Sequence, residues 1–396
     1  WAGCSAPASS DSSQAFPRSR RKEESPPSGG EEYGLVWRSL GLRPKLAAMS
    51  TSSSNPFSLV VSQASPFLAN RPTEYVPRVV GDAGWGMESA FGTAQLGESN
   101  VTVRVQAVTS TDDDTSPGTF RYAADLPGTG RTVVVFDVSG WHDLNSDYST
   151  PAGAGSKTFA FHSAPSPGYY LRGGRVAFND VDDVLLWHLG AANGGPSSGN
   201  DSIGINRANR IAAINCGSWF GADESFSGRD STNITFYNTM VSHSLTVEGG
   251  NLGDHAFNSL WVNCERATFA RSAFVHGKLR NPRAEIAPAF DYFNNIIANA
   301  NGTRQMAIIA DNSENPHSDN VWHNIWVAGP NTETFSEALG IALADEATWP
   351  GGDVYYPLDE NKYVGTFTEL NNEVGANLVD APIASAIAHG SQVTPI

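Results

Sequence analysis

The sequence predicts an all-β protein wound as a single-stranded parallel β-helix. From about Val101 the chain consists of short β-prone runs separated by Gly, Asn and Asp, with almost no helical period. Several runs end in a polar corner residue, and these are His188, Asn215, Asn238, Ser272, Asn294 and Asn324. Their spacing of 22 to 34 positions is typical of stacked repeats with loops of variable length. We expect the corner side chains to stack along the helix axis.

Other all-β architectures fit the sequence less well. A β-propeller or a sandwich requires frequent hairpin turns, which Asn-Gly dipeptides commonly form. Such dipeptides occur only at Asn193-Gly194 and Asn301-Gly302. The scarcity of hairpin signals therefore favours the β-helix.

The chain divides into four predicted parts. Residues 1–48 mix Ser, Pro, Gly and charge without an apolar period, and we interpret them as a disordered or extraneous leader. Residues 49–100 are predicted to form an N-terminal extension and cap, and residues 101–330 the parallel β-helix with a site groove. Residues 331–396 are predicted to be a C-terminal tail that packs along the helix, with one or two helical turns in 334–343.

Composition restricts the partners and the compartment. A formal net charge of −16 argues against nucleic acid and anionic membranes, and an acidic polysaccharide would need a bound cation or a local basic patch. Of the three cysteines, Cys216 and Cys264 lie in apolar runs and are predicted to be buried free thiols. Neither Trp1 nor Met49 is followed by a signal-peptide pattern, and no apolar run reaches the roughly 18 residues of a membrane span.

The central segment 200–283 carries acidic residues first and basic residues last. Its three phrases are Asp201-Ser202-Ile203, Ser218-Trp219-Phe220-Gly221-Ala222-Asp223-Glu224 and Arg280-Asn281-Pro282-Arg283. In this order they resemble polysaccharide lyase family 1, the pectate lyases, with Phe220 as an extra residue. Segments 116–123 and 135–140 resemble the early strands of that family, and 374–381 resembles its closing segment. The resemblance covers about three quarters of the chain and implies a right-handed parallel β-helix.

The resemblance also implies a calcium site. Asp201 and Asp223 match two calcium-binding aspartates of the family, and Glu224 is adjacent. Asp201 and Asp223 are 22 residues apart, which is about one coil, so both side chains are expected on one face. Carboxylate oxygens are the ligands that Ca²⁺ prefers. A further family aspartate is replaced by Ser227, which leaves Glu224 or Asp230 to complete the set.

The basic residues match the catalytic end of the family. Arg280 corresponds to the arginine that abstracts the proton, with Arg283, Lys278 and His276 predicted to bind the substrate. A guanidinium acts as a base only if nearby positive charge and a dry site favour its neutral form. Glu285, where the family often has another arginine, would oppose this.

Two functions remain open from the sequence. The first is a calcium-assisted lyase that cleaves an acidic polysaccharide such as pectate by β-elimination, acting outside the cell. The alternative is a non-catalytic β-helix that binds carbohydrate or serves as a structural spike on a virion or cell surface. A hydrolase of the galacturonase type needs clustered aspartates, and Asp182-Asp183 alone is weak support.

Overall fold

The computed structural model describes residues 103–128, 130–194, 200–246, 255–310, 315–334, 336–344, 349–381 and 383. The predicted leader 1–48 and the predicted cap 49–100 lie outside these residues, as does Cys4. Within the described part, almost all regular structure is β-strand. No helix there has the length and apolarity needed to cross a bilayer.

The strands form three sheets, which we call sheets 1, 2 and 3 in the order in which each coil visits them. Sheet 1 contains β4 (Tyr148–Ser149), β7 (Val176–Asn179), β10 (Ile203–Asn206), β13 (Phe226–Arg229), β18 (Arg283–Ile286), β21 (Arg304–Ala310), β24 (Ser336–Leu343) and β27 (Phe367–Asn372). Sheet 2 contains β1 (Val103–Val108), β2 (Arg131–Phe136), β5 (Lys157–Ala160), β8 (Asp182–Trp187), β11 (Asn209–Ile214), β14 (Thr232–Tyr237), β19 (Phe290–Phe293), β22 (His317–Trp322), β25 (Gly352–Tyr355) and β28 (Asn377–Val379). The long strand β16 (Leu260–Ala270) pairs first in sheet 1 and then in sheet 2.

Sheet 3 faces solvent on the remaining side of each coil. It contains β3 (Gly140–Asp143), β6 (Tyr169–Arg172), β9 (Gly190–Ala192), β12 (Gly217–Trp219), β15 (Met240–Ser242), β17 (Ala273–Val275), β20 (Ile296–Ala298), β23 (Ile325–Val327) and β26 (Lys362–Val364). Within each sheet, strands pair in parallel with the equivalent strands of the neighbouring coils. For example, Ile203 of β10 pairs with Val176 of the preceding coil and Phe226 of the following coil. The predicted parallel β-helix is thus confirmed.

The core lies inside the coils, because alternate residues of each strand point inward. In sheet 2, Val184, Ile211 and Ile234 stack in register and are at most 1% exposed. Cys216 and Cys264 are both buried free thiols, as predicted. Large apolar side chains at successive coil levels therefore form one continuous core.

The corner between sheets 2 and 3 holds two polar stacks. Four predicted corner residues, His188, Asn215, Asn238 and Asn294, have left-handed backbone conformations with φ between 48° and 62°. The outer stack includes the Nδ2 of Asn238, which donates to Oδ1 of Asn215 at 2.6 Å. Stacking at the corner is therefore present on this outer side.

The inner stack lies one residue further along the chain and is buried. In each coil, a backbone N–H donates to the side-chain oxygen of the next coil, along the series Cys216, Thr239, Ser272, Asn295, Asn324 and Asn361. The predicted residues Ser272 and Asn324 thus belong to a different stack from the other four. An unpaired buried N–H is costly, which explains why each inner position carries a side-chain acceptor from Thr239 onward.

Replacement of Asn295 by alanine is expected to lower the free energy of unfolding by about 2–4 kcal/mol. The Asn295 side chain accepts from the N–H of Ser272 at 2.8 Å and donates to the carbonyl of Phe269 at 2.9 Å. Both groups would be left buried and unpaired. Denaturant unfolding measures the effect. Asn238→Gly in the exposed stack is the control, because glycine keeps the left-handed backbone while the side-chain bond is removed, and its loss should be less than about 1 kcal/mol. Equal losses would contradict a special role for the inner stack.

Three predictions about local structure are corrected. Segment 116–123, expected as strand, contains α1 (Phe120–Asp125), because Thr119 caps it by accepting from the N–H of Tyr122 at 3.3 Å. Segment 334–343, expected to include helical turns, forms β24 instead, which pairs with β21. Strands β24 to β28 continue the coils beyond residue 330, so this part is not a tail packed on the helix.

Candidate carboxylate and arginine site on sheet 1

The candidate site lies where the loops from sheet 3 enter sheet 1. Asp201 precedes β10 and Glu224 precedes β13, and the register of these strands offsets equivalent positions by 23 residues. Asp201 is therefore aligned with Glu224, and Asp223 lies one position earlier. The backbone N–H of Glu224 donates to Oδ1 of Asp201 at 3.2 Å, which fixes this alignment.

The three acidic side chains converge. One carboxylate oxygen from each of Asp201, Asp223 and Glu224 lies within 4.8 Å of the others. They line a cleft of about 350 Å³ together with Arg175, Asn200, Asn206, Ser227, Gly228, Arg229 and Leu260. The predicted grouping of these acids on one face is thus present in the structure.

The carboxylate of Asp201 is buried among donors. Nη2 of Arg175, from the preceding coil, lies 3.1 Å from its Oδ2, and the hydroxyl of Ser227 donates to the same oxygen. Burial raises the pKa of Asp201, and the negative charge of Asp223 adds to this effect against the opposing influence of Arg175. Ser227 is at the position of a family aspartate. Its hydroxyl orients the carboxylate of Asp201, whereas an aspartate there would add a further carboxylate.

Glu224 is paired with Arg280. The Nη1 of Arg280 donates to Oε1 of Glu224, whose side chain is 3% exposed, and the guanidinium lies 4.0 Å from the ring centre of Phe257. Burial raises the pKa of Glu224 to about 9, with the charge of Asp201 adding to the effect and Arg280 opposing it. The acids and the predicted base are therefore in direct contact.

The other predicted residues lie around this centre. Asp223 is partly exposed and its Oδ1 is 2.5 Å from Nδ1 of His255. Arg283, at the start of β18, pairs with Glu285 at 2.6 Å. The negative charge of Glu285, which was expected to act on Arg280, is therefore paired with Arg283. The N–H of Lys278 donates to the carbonyl of Ala256 at 2.8 Å.

His276 follows the end of β17 in sheet 3. Its Nδ1 is 2.7 Å from Nδ2 of Asn299, and its ring centre is 4.6 Å from that of His243. These contacts belong to the column of residues at the exit of sheet 3. Asp230, the other candidate for completing the acidic set, follows β13 and accepts from Nδ2 of Asn263 at 2.6 Å, outside the acidic cluster.

The donor set fits a divalent cation of the calcium type. Three carboxylates supply oxygen ligands, and Arg175 and Arg280 are the two guanidinium groups paired with them among the described residues. When all three acids are ionised, their three negative charges exceed the two positive charges of Arg175 and Arg280, and a bound cation would balance the remainder. Burial raises the pKa of Asp201 and of Glu224, and neighbouring acids add to this effect, so a bound cation would favour their ionised forms.

Sequence reasoning missed four residues of this site. Arg175 was detectable, because it precedes Asp201 by 26 residues, close to one coil, and carries the opposite charge. The sequence shows Ser227 only as the absence of a family aspartate. His255 and Phe257 lie between β15 and β16, and strand periodicity does not predict that they approach the site.

The fold and the site define a parallel β-helix protein with an acidic cluster beside an arginine on one sheet. Two fungal proteins named "Probable pectate lyase C" are similar in sequence, from Aspergillus fumigatus (27% identical over 254 residues, 64% of this chain and 56% of the relative) and Aspergillus flavus (26% over 235 residues, 59% and 52%). The resemblance to the pectate lyases is confirmed by these relatives. The chain spans about half the length of the relatives that it matches.

Two further comparisons add little. No family model matches the chain. The crystal structure of jun a 1, the major allergen from cedar pollen, is 13% identical and covers 85% of this chain and 92% of its own, with a TM-score of 0.42. The parallel β-helix is defined by the strand pairing described above.

Proposed function

We propose that this protein is a calcium-assisted lyase that cleaves an acidic, uronic-acid polysaccharide such as pectate by β-elimination outside the cell. The observation that carries the proposal is the contact between the acidic cluster and Arg280, which joins a candidate cation site to a candidate base. The names of the fungal relatives support the same class of reaction.

The reaction needs the proton on the carbon next to the uronate carboxylate to be removed. The electron pair then forms a carbon–carbon double bond, and the glycosidic oxygen on the adjacent carbon leaves and takes up a proton. A calcium ion held by Asp201, Asp223 and Glu224 would neutralise the uronate carboxylate and make that first proton more acidic. The residues of the chain must then supply the base and hold the sugar in place.

Arg280 is the proposed base. Its Nη1 is engaged in the hydrogen bond to Oε1 of Glu224. The ion pair therefore has to open before Arg280 can accept a proton. Arg283 and Lys278, with His276 further out, are proposed to bind the uronate.

The test is an assay on polygalacturonate and on alginate, following the ultraviolet absorbance of the unsaturated product. We expect a rise that requires calcium, that stops when a chelator is added, and that returns when calcium is restored. Isothermal titration of calcium into the chelator-stripped protein gives a separate measure of the ion site.

Two outcomes contradict the proposal in different ways. Calcium binding and uronan binding without product would favour the non-catalytic β-helix, for which the stable Glu224–Arg280 pair is a structural argument. Product formation that is indifferent to chelators would keep the lyase and remove the calcium assignment.

A further inference from the structure

A second cleft lies on the outer face of sheet 3, around the corner of the coil from the acidic cluster. Its volume is about 590 Å³, larger than that of the cleft on sheet 1. The residues that matter for its chemistry are Tyr170, His188, Gly190, Asn215, Trp219 and Met240. None of them belongs to the proposed lyase site.

The floor of this cleft is formed by aromatic rings lying over two glycines. Register places Tyr170, Gly190, Gly217 and Met240 in one outward-facing column of successive coils. A Cβ added at Gly190 would lie 2.5 Å from Cδ1 of Tyr170, and one at Gly217 would lie 2.3 Å from Cζ2 of Trp219. Each ring therefore occupies the space of a missing side chain and lies against the backbone.

The two rings adjoin each other and continue into a third. The Cβ position at Gly190 is also 3.4 Å from Cζ3 of Trp219, so Tyr170 and Trp219 border the same point. Trp141, 47% exposed, precedes Tyr170 in the column, and their ring centres are 5.2 Å apart with planes tilted by 39°. The result is an aromatic strip that crosses several coils of sheet 3.

Polar groups line the side of the cleft next to the corner. Nδ2 of Asn215 donates to Nε2 of His188 at 3.0 Å, which leaves the ring proton of a neutral His188 on Nδ1. Partial burial and the neighbouring ring of His162 lower the pKa of His188, so this side chain is neutral at neutral pH. The wall thus offers uncharged hydrogen-bonding groups beside the aromatic floor.

The lining carries no carboxylate, guanidinium or ammonium group among the described residues. The cleft on sheet 1, in contrast, is lined by Arg175, Arg229 and three acids. A charged ligand would find no partner in this lining, although Arg172 lies over the ring of Trp141 beside it. A ligand with apolar ring faces and many hydroxyl groups would match both the floor and the wall.

We propose that this cleft binds a neutral polysaccharide chain, with sugar rings stacked on Tyr170 and Trp219 and hydroxyl groups bonded to His188 and Asn215. Such a site holds the protein on uncharged polymer while sheet 1 faces a different, acidic one. The proposal does not depend on lyase activity, since it uses none of the residues of that site.

The experiment titrates the full chain, with a chelator present, with the hexasaccharides of glucose, mannose, galactose and xylose in β-linkage, and with hexagalacturonate as the charged comparison. Calorimetry and tryptophan fluorescence both report binding. We expect at least one neutral hexasaccharide to saturate and to bind more tightly than hexagalacturonate. Trp219→Ala and Tyr170→Ala should each weaken that binding about tenfold.

Controls separate a lost contact from a lost fold. Tyr170→Phe keeps the ring and should retain binding, and Phe220→Ala removes an aromatic side chain that is 43% exposed outside the cleft and should have no effect. The proposal is overturned if none of the four neutral hexasaccharides saturates at millimolar concentration, if the two alanine variants fold and bind like the parent, or if Tyr170→Phe binds as weakly as Tyr170→Ala.

Discussion

Replacement of Arg280 by alanine is expected to lower kcat on the preferred uronan by about 10²–10⁴-fold, the usual contribution of a positioned base. The side chain is held over the ring of Phe257 and against Glu224, so its guanidinium has a fixed location beside the acidic cluster. Initial rates at saturating substrate and calcium measure the loss.

The control for Arg280 has to separate the base from the ion pair. Arg280→Lys retains a positive charge near Glu224 but changes the position of the accepting atom, so we expect calcium affinity close to the parent and kcat still well below it. Arg207→Ala removes an exposed arginine paired with Asp180 and should leave kcat unchanged. Parent-like turnover by Arg280→Ala would exclude Arg280 as the base.

Replacement of Asp223 by asparagine is expected to raise the calcium concentration needed for half-maximal activity by about 10- to 100-fold, because the number of charged ligands sets the affinity of such sites. Asp223 is the most exposed of the three acids, so its amide analogue is the least disruptive to the fold. Calorimetric titration should give the same shift as the activity assay.

Asp230→Asn is the matched control for Asp223→Asn. Asp230 directly follows β13 of sheet 1, but it accepts a hydrogen bond from Asn263 and lies outside the acidic cluster. We expect no change in calcium affinity from this variant. Equal weakening by the two substitutions would mean that a general loss of negative charge, and not a specific site, controls the ion.

Much of the site was open to prediction from sequence because parallel coils keep a register. Asp201 and the acids at 223 and 224 are separated by one coil, and hydrogen bonding between successive strands then brings them to one face. The same rule would have found Arg175 one coil earlier. It could not assign Ser227 a role, since the hydroxyl acts only through its contact with Asp201.

The loops were less predictable than the strands. His255 and Phe257 lie between β15 and β16, and strand periodicity gives no information about their approach to the site. Segment 116–123 differs from the strand prediction because it contains a six-residue helix that is capped by Thr119.

The sequence by itself determined the coil, the order of acids before bases, and the stack of polar corners, because each depends on spacing along the chain. Only the tertiary structure decided that the corners form two stacks, that Arg280 contacts Glu224, and that two aromatic rings lie over glycines on sheet 3. These contacts join side chains from different coils, and their geometry depends on one-residue offsets and on side-chain directions that spacing along the chain does not contain.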